Sequence, residues 1–434
     1  VSGKGFAGVK GMNDILPPEI DVWHRIEAVA RELFGRYGFS EIRTPIVEDT
    51  ALFVRSIGEV TDVVGKEMYT FTDKGDRSIT MRPEGTAPAA RAYIEHGIAN
   101  TEPLTKWFYM GPMFRYERMK TGRYRQFYQL GAEAYGTLDP AQDVEVLALC
   151  WAFFQKLGIP DVKLHLNSLG DGSTRPQYLE ALKAHFAPLV EQMSPDAKLA
   201  YERNTMRLLD SKEGPLQDAI KSAPSMAESL DEGSKKHFAD VQRLLGKLGI
   251  PFVLDPRLVR GLDYYTRTSF EFIYSPQGEN ALGTAGTICG GGRYDRLVHE
   301  LGGPEKPAVG FAMGLDRLVL LLKTLAAPQK EGPTLFIGTF DGPERDDAIA
   351  LVMQLRNEGY AVDFDPRGGK LGKQKERASK LNAAYFAGYG DAEHKAGSIK
   401  IDNMRLPKDA PKETVEVKLG DLRGWLNSMS KKAS

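Results

Sequence analysis

Residues 104 to 136 do most to limit how this chain can fold. Two strand-like stretches enclose a loop that is almost wholly cationic. "LTKWFYMGPMFRYE" goes up and "RQFYQLGAEAYG" comes back; between them Arg115, Arg118, Lys120, Arg123 and Arg125 stand against one acid, Glu117. In the returning strand the two-residue period puts Gln129, Gly131 and Glu133 on one face, and Tyr128, Leu130 and Ala132 on the other. A face reading polar, glycine, acid suits a pocket wall with room for a ligand, although a solvated sheet face reads the same way. The cationic loop fits a solvated hairpin tip, or a site for a polyphosphate or an RNA end.

Around this hairpin the pattern predicts further elements. Ile20, Trp23, Ile26, Val29, Leu33 and Tyr37 recur at helical spacing between Pro17-Pro18 and Gly38, so a helix is expected from about Glu19 to Tyr37. Strands fit "VKLHLN" at 162 to 167 and "TSFEFIY" at 268 to 274. Between them, from about 171 to 249, Val190, Ile220 and Val241 are the only Val or Ile residues, and Ala, Leu, Lys and Glu dominate. That stretch reads as a helical insertion. "AAPQKEGP" at 326 to 333 reads as a linker; beyond it strands and helices alternate, which argues for a separate α/β domain. The full 434 residues suffice for two or three domains with their own cores.

Three other segments carry chemistry more readily than structure. In "RGLDYYTRTSFEF", Arg260 and Asp263 adjoin Tyr264 and Tyr265, which could equally be core residues. "TAGTICGGGRYDRL" has three successive glycines, Gly290 to Gly292, allowing backbone to approach a ligand closely. In "GFAMGLDRLVLLL", Arg317 falls in the first turn of an apolar helix, where a cation opposes the helix dipole and a bound anion would explain it. No G-x-x-x-x-G-K-[ST] occurs, which excludes a P-loop ATPase.

Jointly these segments resemble the histidyl-tRNA synthetases, over nearly the whole chain. The helix at 19 to 37 with Pro45 is similar to class II motif 1, "GPMFRYERMKTGRYRQFYQLGAE" to motif 2 and "AVGFAMGLDRLVLL" to motif 3. "RGLDYYTRTSFEF", "GGGRYDRL" and "TMRPEGTA" resemble the signatures of the histidine enzyme. The resemblance implies an α+β protein. A class II catalytic domain on an antiparallel sheet would span 1–325 with its helical insertion at about 171–249. The linker 326–333 would lead to an α/β anticodon-binding domain at 334–434.

The resemblance also implies roles. Arg115 and Arg260 would be catalytic. Arg115, Arg123 and Arg317 would hold ATP, and Arg260 would bridge the histidine carboxylate and the α-phosphate. Glu84, Gly85 and Thr86, with Gln129 and Tyr264, would orient the α-amino group; Glu133 and Tyr265 would bond the imidazole. Arg118 and Lys120 would meet the tRNA acceptor end, Lys120 standing where many bacterial relatives have glutamine. Arg367, Lys370, Lys373 and Lys375, in a run with six basic residues and one acid, would contact the anticodon stem. The implied partners are L-histidine, ATP, tRNA(His) and a second copy in a homodimer. Magnesium would accompany ATP, with no protein side chain singled out as a metal ligand. The rival reading is the family's regulatory paralogue, which partners ATP phosphoribosyltransferase, lacks the C-terminal domain and loses active-site arginines.

Bulk properties are compatible. Net charge is −1, so RNA would have to be met by local patches. No apolar run approaches the ~18 residues of a membrane helix, the start of the chain lacks a secretory signal's apolar core, and a cytoplasmic protein is expected. Cys150 and Cys289 offer no zinc spacing and read as small buried hydrophobes.

Overall fold

The apolar stripe at 19 to 37 becomes the helix Glu19–Arg36, burying Val22, Trp23, Ile26, Ala30, Leu33 and Phe34. A computed structural model describes residues 5–58, 61, 63–171, 174–203, 205–259, 262, 264–277, 282, 286–325, 332–407 and 411–430. They fall into two compact units, Val1–Ala327 and Pro328–Ser434. Positions 326–331 of the expected linker lie outside the described residues.

In chain order the first unit's strands are β1 (Ser40–Glu41), β2 (Val47–Asp49), β3 (Tyr69–Thr72), β4 (Ser78–Met81), β5 (Thr105–Phe114), β6 (Gln126–Tyr135), β7 (Val162–Ser168), β8 (Phe252–Leu254), β9 (Thr266–Tyr274), β10 (Thr287–Arg293) and β11 (Ala308–Gly314). The hairpin of 104 to 136 is β5 and β6. It sits in an eight-stranded sheet of order β1-β5-β6-β11-β10-β9-β7-β8, antiparallel except at its two edge pairs. One face is apolar: Phe108, Leu130, Ala132, Phe311, Phe270 and Leu164 pack with residues of the helices Glu19–Arg36, Pro140–Leu157 and Leu315–Leu325. Cys150 and Cys289 lie in this core as expected, both buried, with Sγ atoms 3.8 Å apart.

No strand occurs between Ser168 and Phe252 among the described residues; the stretch is helical or 3₁₀, ending in the long helix Glu232–Leu248. The scarcity of β-branched residues there removes the strand formers. Val241 and Leu245 return to the main core, while Tyr178, Leu182 and Phe186 share a second cluster with Tyr264, Tyr265 and Tyr294.

The second unit holds β12 (Leu335–Thr339), β13 (Val362–Asp363), β14 (Tyr385–Tyr389), β15 (Ser398–Asn403) and β16 (Thr414–Lys418), in the order β13-β12-β14-β15-β16. The first three are parallel, as alternation of strand and helix requires, and the last two close the sheet antiparallel.

Candidate active site

On the face of the large sheet opposite the core, cross-strand pairing aligns small residues. Glu133 pairs with Gly310 and Gly310 with Gly292; Gly131 pairs with Ala312 and Ala312 with Gly290; Gln129 pairs with Gly314. Paired residues share a face, so Gln129, Gly131 and Glu133 stand on a floor nearly free of side chains. Gly290 and Gly292 of the glycine triplet are part of that floor, whereas Gly291 pairs with Phe311 and Phe270 on the core face. A Cβ on Gly310 would overlap the Glu133 carboxylate, and one on Gly85 or Gly131 would overlap the Tyr109 ring.

Glu133 is the centre of the arrangement. It is wholly buried and accepts hydrogen bonds from Thr86 Oγ1 at 2.8 Å, Tyr109 OH at 2.9 Å and the Tyr294 hydroxyl. Burial pushes its carboxyl up to about 8, against the opposing pull of those three hydroxyl donors. Glu84, also buried, accepts from the backbone N–H of Thr86 at 2.6 Å and Ala87 at 2.8 Å, at the start of the helix Thr86–Glu95. Its pKa is raised by burial, while those amides and the nearby Arg115 pull it down. Gln129 is buried, and among the described residues its Oε1 has no hydrogen-bond partner. An orphaned buried acceptor is costly unless a donor arrives. Tyr264 and Tyr265 are buried with ring centroids 4.7 Å apart, and Tyr264 lies 5.6 Å from Tyr294. Glu84 and Glu133 lie near enough to Tyr264 to raise its pKa further, after burial.

Cations gather toward one end. Arg115 donates from Nε to the Pro83 carbonyl at 2.8 Å, with its guanidinium 5.4 Å from the Phe127 ring centroid. Arg317 donates to the Thr287 carbonyl, and Thr287 Oγ1 donates to Glu271 at 2.8 Å. The Arg317 pKa is lowered by burial and then by Arg123, so two arginines repel each other here. Arg123 is bonded to Glu117 at 3.1 Å; Arg118 and Lys120 are exposed in the hairpin loop. Arg260 and Asp263 lie outside the described residues.

Three residues of this region escaped the sequence reading. Tyr109 and Tyr294 supply two of the hydroxyls on Glu133. The period of β5 could have suggested Tyr109, but only the register to Gly131 shows it. Arg82 is the third: its guanidinium donates to the carbonyls of Pro112 at 2.9 Å and Thr44 at 2.8 Å, securing the loop at Pro45.

The basic run of the second unit is partly engaged in internal ion pairs. Arg367 is bonded to Asp365 at 2.8 Å and Lys375 to Asp402 at 2.5 Å, so two of the four expected RNA contacts are already ion-paired within the domain. Lys370 and Lys373 are exposed.

Known proteins resemble this chain throughout. Residues 11–318 match the Histidyl-tRNA synthetase family and residues 337–429 the Anticodon binding domain. The chain is 49% identical to the histidine–tRNA ligase of Synechococcus elongatus over 393 residues, 91% of this chain and 89% of the relative. Identity to the histidine–tRNA ligase of Synechocystis sp. is 46% over 424 residues, 98% of this chain and 93% of the relative. The crystal structure of apo S. aureus histidyl-tRNA synthetase superposes with a TM-score of 0.81 at 38% identity, covering 97% of this chain and all of the other. The glycine-floored pocket, its buried glutamate and the matched second unit are thus found in a chain that belongs to the histidyl-tRNA synthetase family, the ligases that join histidine to tRNA with ATP.

Proposed function

We propose that histidine lies on the glycine floor with its imidazole against Glu133 and its carboxylate toward Arg260. The buried Glu133 with its three hydroxyl partners is the observation that carries this reading. A carboxylate so placed can accept an imidazole N–H, and any side chain lacking that donor leaves it unmatched. Gln129 Oε1 is the natural acceptor for the α-ammonium, with Glu84 and Thr86 beside it and Tyr264 across the pocket. Tyr265 is retained as an imidazole neighbour; Tyr109 and Tyr294 join the set through Glu133.

ATP takes the cationic end. Arg123 and Arg317 repel each other, which a polyphosphate between them would relieve, and Arg115 serves the α-phosphate side. Magnesium enters with ATP and would neutralise phosphate charge. No group of three or more metal-ligating side chains occurs among the described residues. Such an ion would be held largely by phosphates and water, and Glu271, which accepts from Thr287 Oγ1, is the carboxylate near Arg317. The homodimer would use the three-stranded sheet β2-β4-β3, where Val47 and Phe71 are exposed next to Ile46. Arg118 and Lys120 would meet the acceptor end of tRNA(His), and the cytoplasm is the proposed compartment. No helix among the described residues is long and apolar enough to cross a membrane. The regulatory paralogue is the weaker reading, because this chain has the anticodon-binding domain and Arg115, Arg260 and Arg317.

Arg260 provides the test. A guanidinium can bond carboxylate and α-phosphate together, and charge on the phosphate rises as the five-coordinate state forms. Such a contact strengthens in the transition state, so its loss lowers kcat. Arg260→Ala should slow adenylate formation by roughly 10²- to 10³-fold or more, while transfer from preformed adenylate to tRNA suffers much less. Single-turnover measurement of both half-reactions decides it: normal activation with collapsed transfer removes Arg260 from the first step.

A further inference from the structure

Arg293 is wholly buried, yet none of the roles above uses it. It ends β10 on the core face of the large sheet, paired across to Val309. Its guanidinium donates to Asp143 at 2.5 Å, to Asp295 at 3.0 Å and to the Thr137 carbonyl. The other oxygen of Asp143 meets His237 Nε2 at 3.2 Å. Asp143 comes from the helix Pro140–Leu157, and His237 from Glu232–Leu248, the helix that closes the insertion. One buried cluster thus joins a sheet strand, a core helix and the insertion.

Stability alone explains such a cluster poorly. Taking a guanidinium and two carboxylates out of water is costly, and well-packed apolar side chains of similar volume often hold a core as firmly. Burial pushes the Asp143 carboxyl up, but its bond to His237 and the Arg293 charge outweigh burial and keep it below the ordinary range. What the cluster has in addition is its place in the chain. The ladder to β9 slips at this point: Gly292 pairs with Ser269, but Arg293 with Thr266. A slip of this kind re-aims the side chains around it. Tyr294, next in sequence, turns to the pocket and donates its hydroxyl to Glu133. Asp295 turns back to Arg293 and also accepts from Thr266 Oγ1 at 3.3 Å, which in return accepts from Asp295 N at 3.2 Å. Arg267 adds a more distant cation, its Nε 3.9 Å from Asp295. Thr266 directly follows Tyr265. Two walls of the histidine pocket, Tyr294 and the Tyr264–Tyr265 segment, therefore depend on one guanidinium.

We propose that Arg293 is a positioning residue for histidine recognition: held by Asp143 and Asp295, it fixes the Tyr294 hydroxyl on Glu133 and the chain at Tyr265–Thr266, and His237 ties this anchor to the helical insertion. The inference rests on the reading of Glu133 as the imidazole acceptor and extends it to groups that do not touch histidine. Lysine cannot replace Arg293, because an ammonium cannot fork between two carboxylates and a carbonyl. Without the fork Tyr294 loses its fixed place, and Glu133 loses one of its three donors. The ATP end, with Arg115 and Arg317, belongs to other segments. Histidine binding should therefore suffer while ATP binding and the chemical step are spared.

The experiment is ATP–pyrophosphate exchange by full-length Tyr294→Phe, Arg293→Lys and the double variant, beside Glu133→Gln. Tyr294→Phe should raise the histidine KM roughly ten-fold, for one lost bond to a carboxylate, with kcat and ATP KM within about two-fold of wild type. Arg293→Lys should raise it by a similar factor. The double variant should be no worse than the worse single one, because both changes remove the same contact. His237→Leu, at the outer end of the cluster, should raise the histidine KM roughly two- to five-fold. His237→Gln, whose amide can still donate to Asp143, should restore it. If Arg293→Lys does not fold, the two His237 variants decide alone. A merely structural cluster would lower the melting temperature and leave the histidine KM of the soluble variants unchanged, or move the histidine and ATP KM together. Either result overturns the proposal, as does a double variant whose losses multiply. Should Glu133→Gln itself bind histidine normally, the reading of the pocket falls and not only its anchor.

Discussion

Both units lay glycines beneath an aromatic ring, to opposite effect. In the first, Gly85 and Gly131 admit Tyr109, which is buried and spends its hydroxyl on Glu133. In the second, Gly388 and Gly390 support Phe340, which stays open to solvent and offers only a surface. Burial makes the difference. A closed pocket built of hydrogen bonds rejects a ligand that cannot complete them, because its own groups are left unpaired. An open aromatic surface accepts any flat partner and must take its selectivity from neighbouring charges. The first site therefore suits the choice of one amino acid, and the second region is not built for such a choice.

The most direct way to break this contrast is to add one methyl group to each floor. Gly310→Ala would press a Cβ into the Glu133 carboxylate and place it 2.5 Å from the Ala132 carbonyl oxygen, neither of which can retreat. Overpacking of this kind costs about 1–3 kcal/mol, and the displaced carboxylate should raise the histidine KM at least roughly ten-fold, with the ATP KM little altered. Gly388→Ala meets only the ends of Leu371, at 3.2 Å, and Phe340, at 3.6 Å. Its melting temperature and pyrophosphate exchange should match wild type. Equal tolerance of both substitutions would show that the first pocket is no tighter than the second.

The legible part of the molecule was its periodicity. The two-residue period of β6 placed Gln129, Gly131 and Glu133 on one face, and the family signatures gathered the pocket residues. What remained hidden depended on register and on distant partners. Nothing local to "WFYMGPMF" says that Tyr109 crosses to Gly131. "GGGRYDRL" does not reveal that Arg293 points away from the pocket, wholly buried, into Asp143 at 2.5 Å, while its neighbour Tyr294 turns to Glu133. In the second unit, Lys375 looked available because Asp402 is 27 residues away in sequence. The glycines of "AAYFAGYG" have a physical cause too: Gly388 and Gly390 lie under Phe340, and a Cβ at 390 would come within 2.6 Å of its ring.

Glu133→Gln sharpens the contrast by keeping shape and removing the group that can ionise when the imidazole N–H arrives. Histidine KM should rise roughly 10- to 100-fold, the worth of a hydrogen bond to a charged group, while ATP KM holds. A pH signature should accompany it. The folded-state pKa, about 8, exceeds the ordinary 4.5, so the folded chain binds more protons than the unfolded chain between those values. Stability of the unliganded wild type should therefore fall as pH rises through that window, by up to a few kcal/mol. In Glu133→Gln this part of the slope should vanish. Melting temperatures of both proteins from pH 5 to 8.5 give the comparison; parallel curves would mean that Glu133 is ionised at little cost and the pocket is wetter than its geometry indicates.

The smallest effects should come from the exposed lysines of the second unit's basic run. Lys370 and Lys373 are exposed, whereas Arg367 and Lys375 already neutralise Asp365 and Asp402. A cation that meets a phosphate releases a counterion, and each such contact steepens the fall of affinity with salt by about one unit of log–log slope. Lys370→Ala and Lys373→Ala should each reduce that slope by up to about one and weaken tRNA binding roughly two- to five-fold near physiological salt. The loss should be the same for wild-type and abasic anticodons, because phosphate contacts carry no base information. Arg367→Ala should change the slope less and show instead in stability, since Asp365, held down to about 2 chiefly by its Arg367 bond, would lose that partner. Binding titrations between 50 and about 300 mM salt separate the cases. Should Arg367→Ala flatten the slope as much as Lys373→Ala, the internal ion pair opens to meet RNA, and all four cations of the run belong to the interface after all.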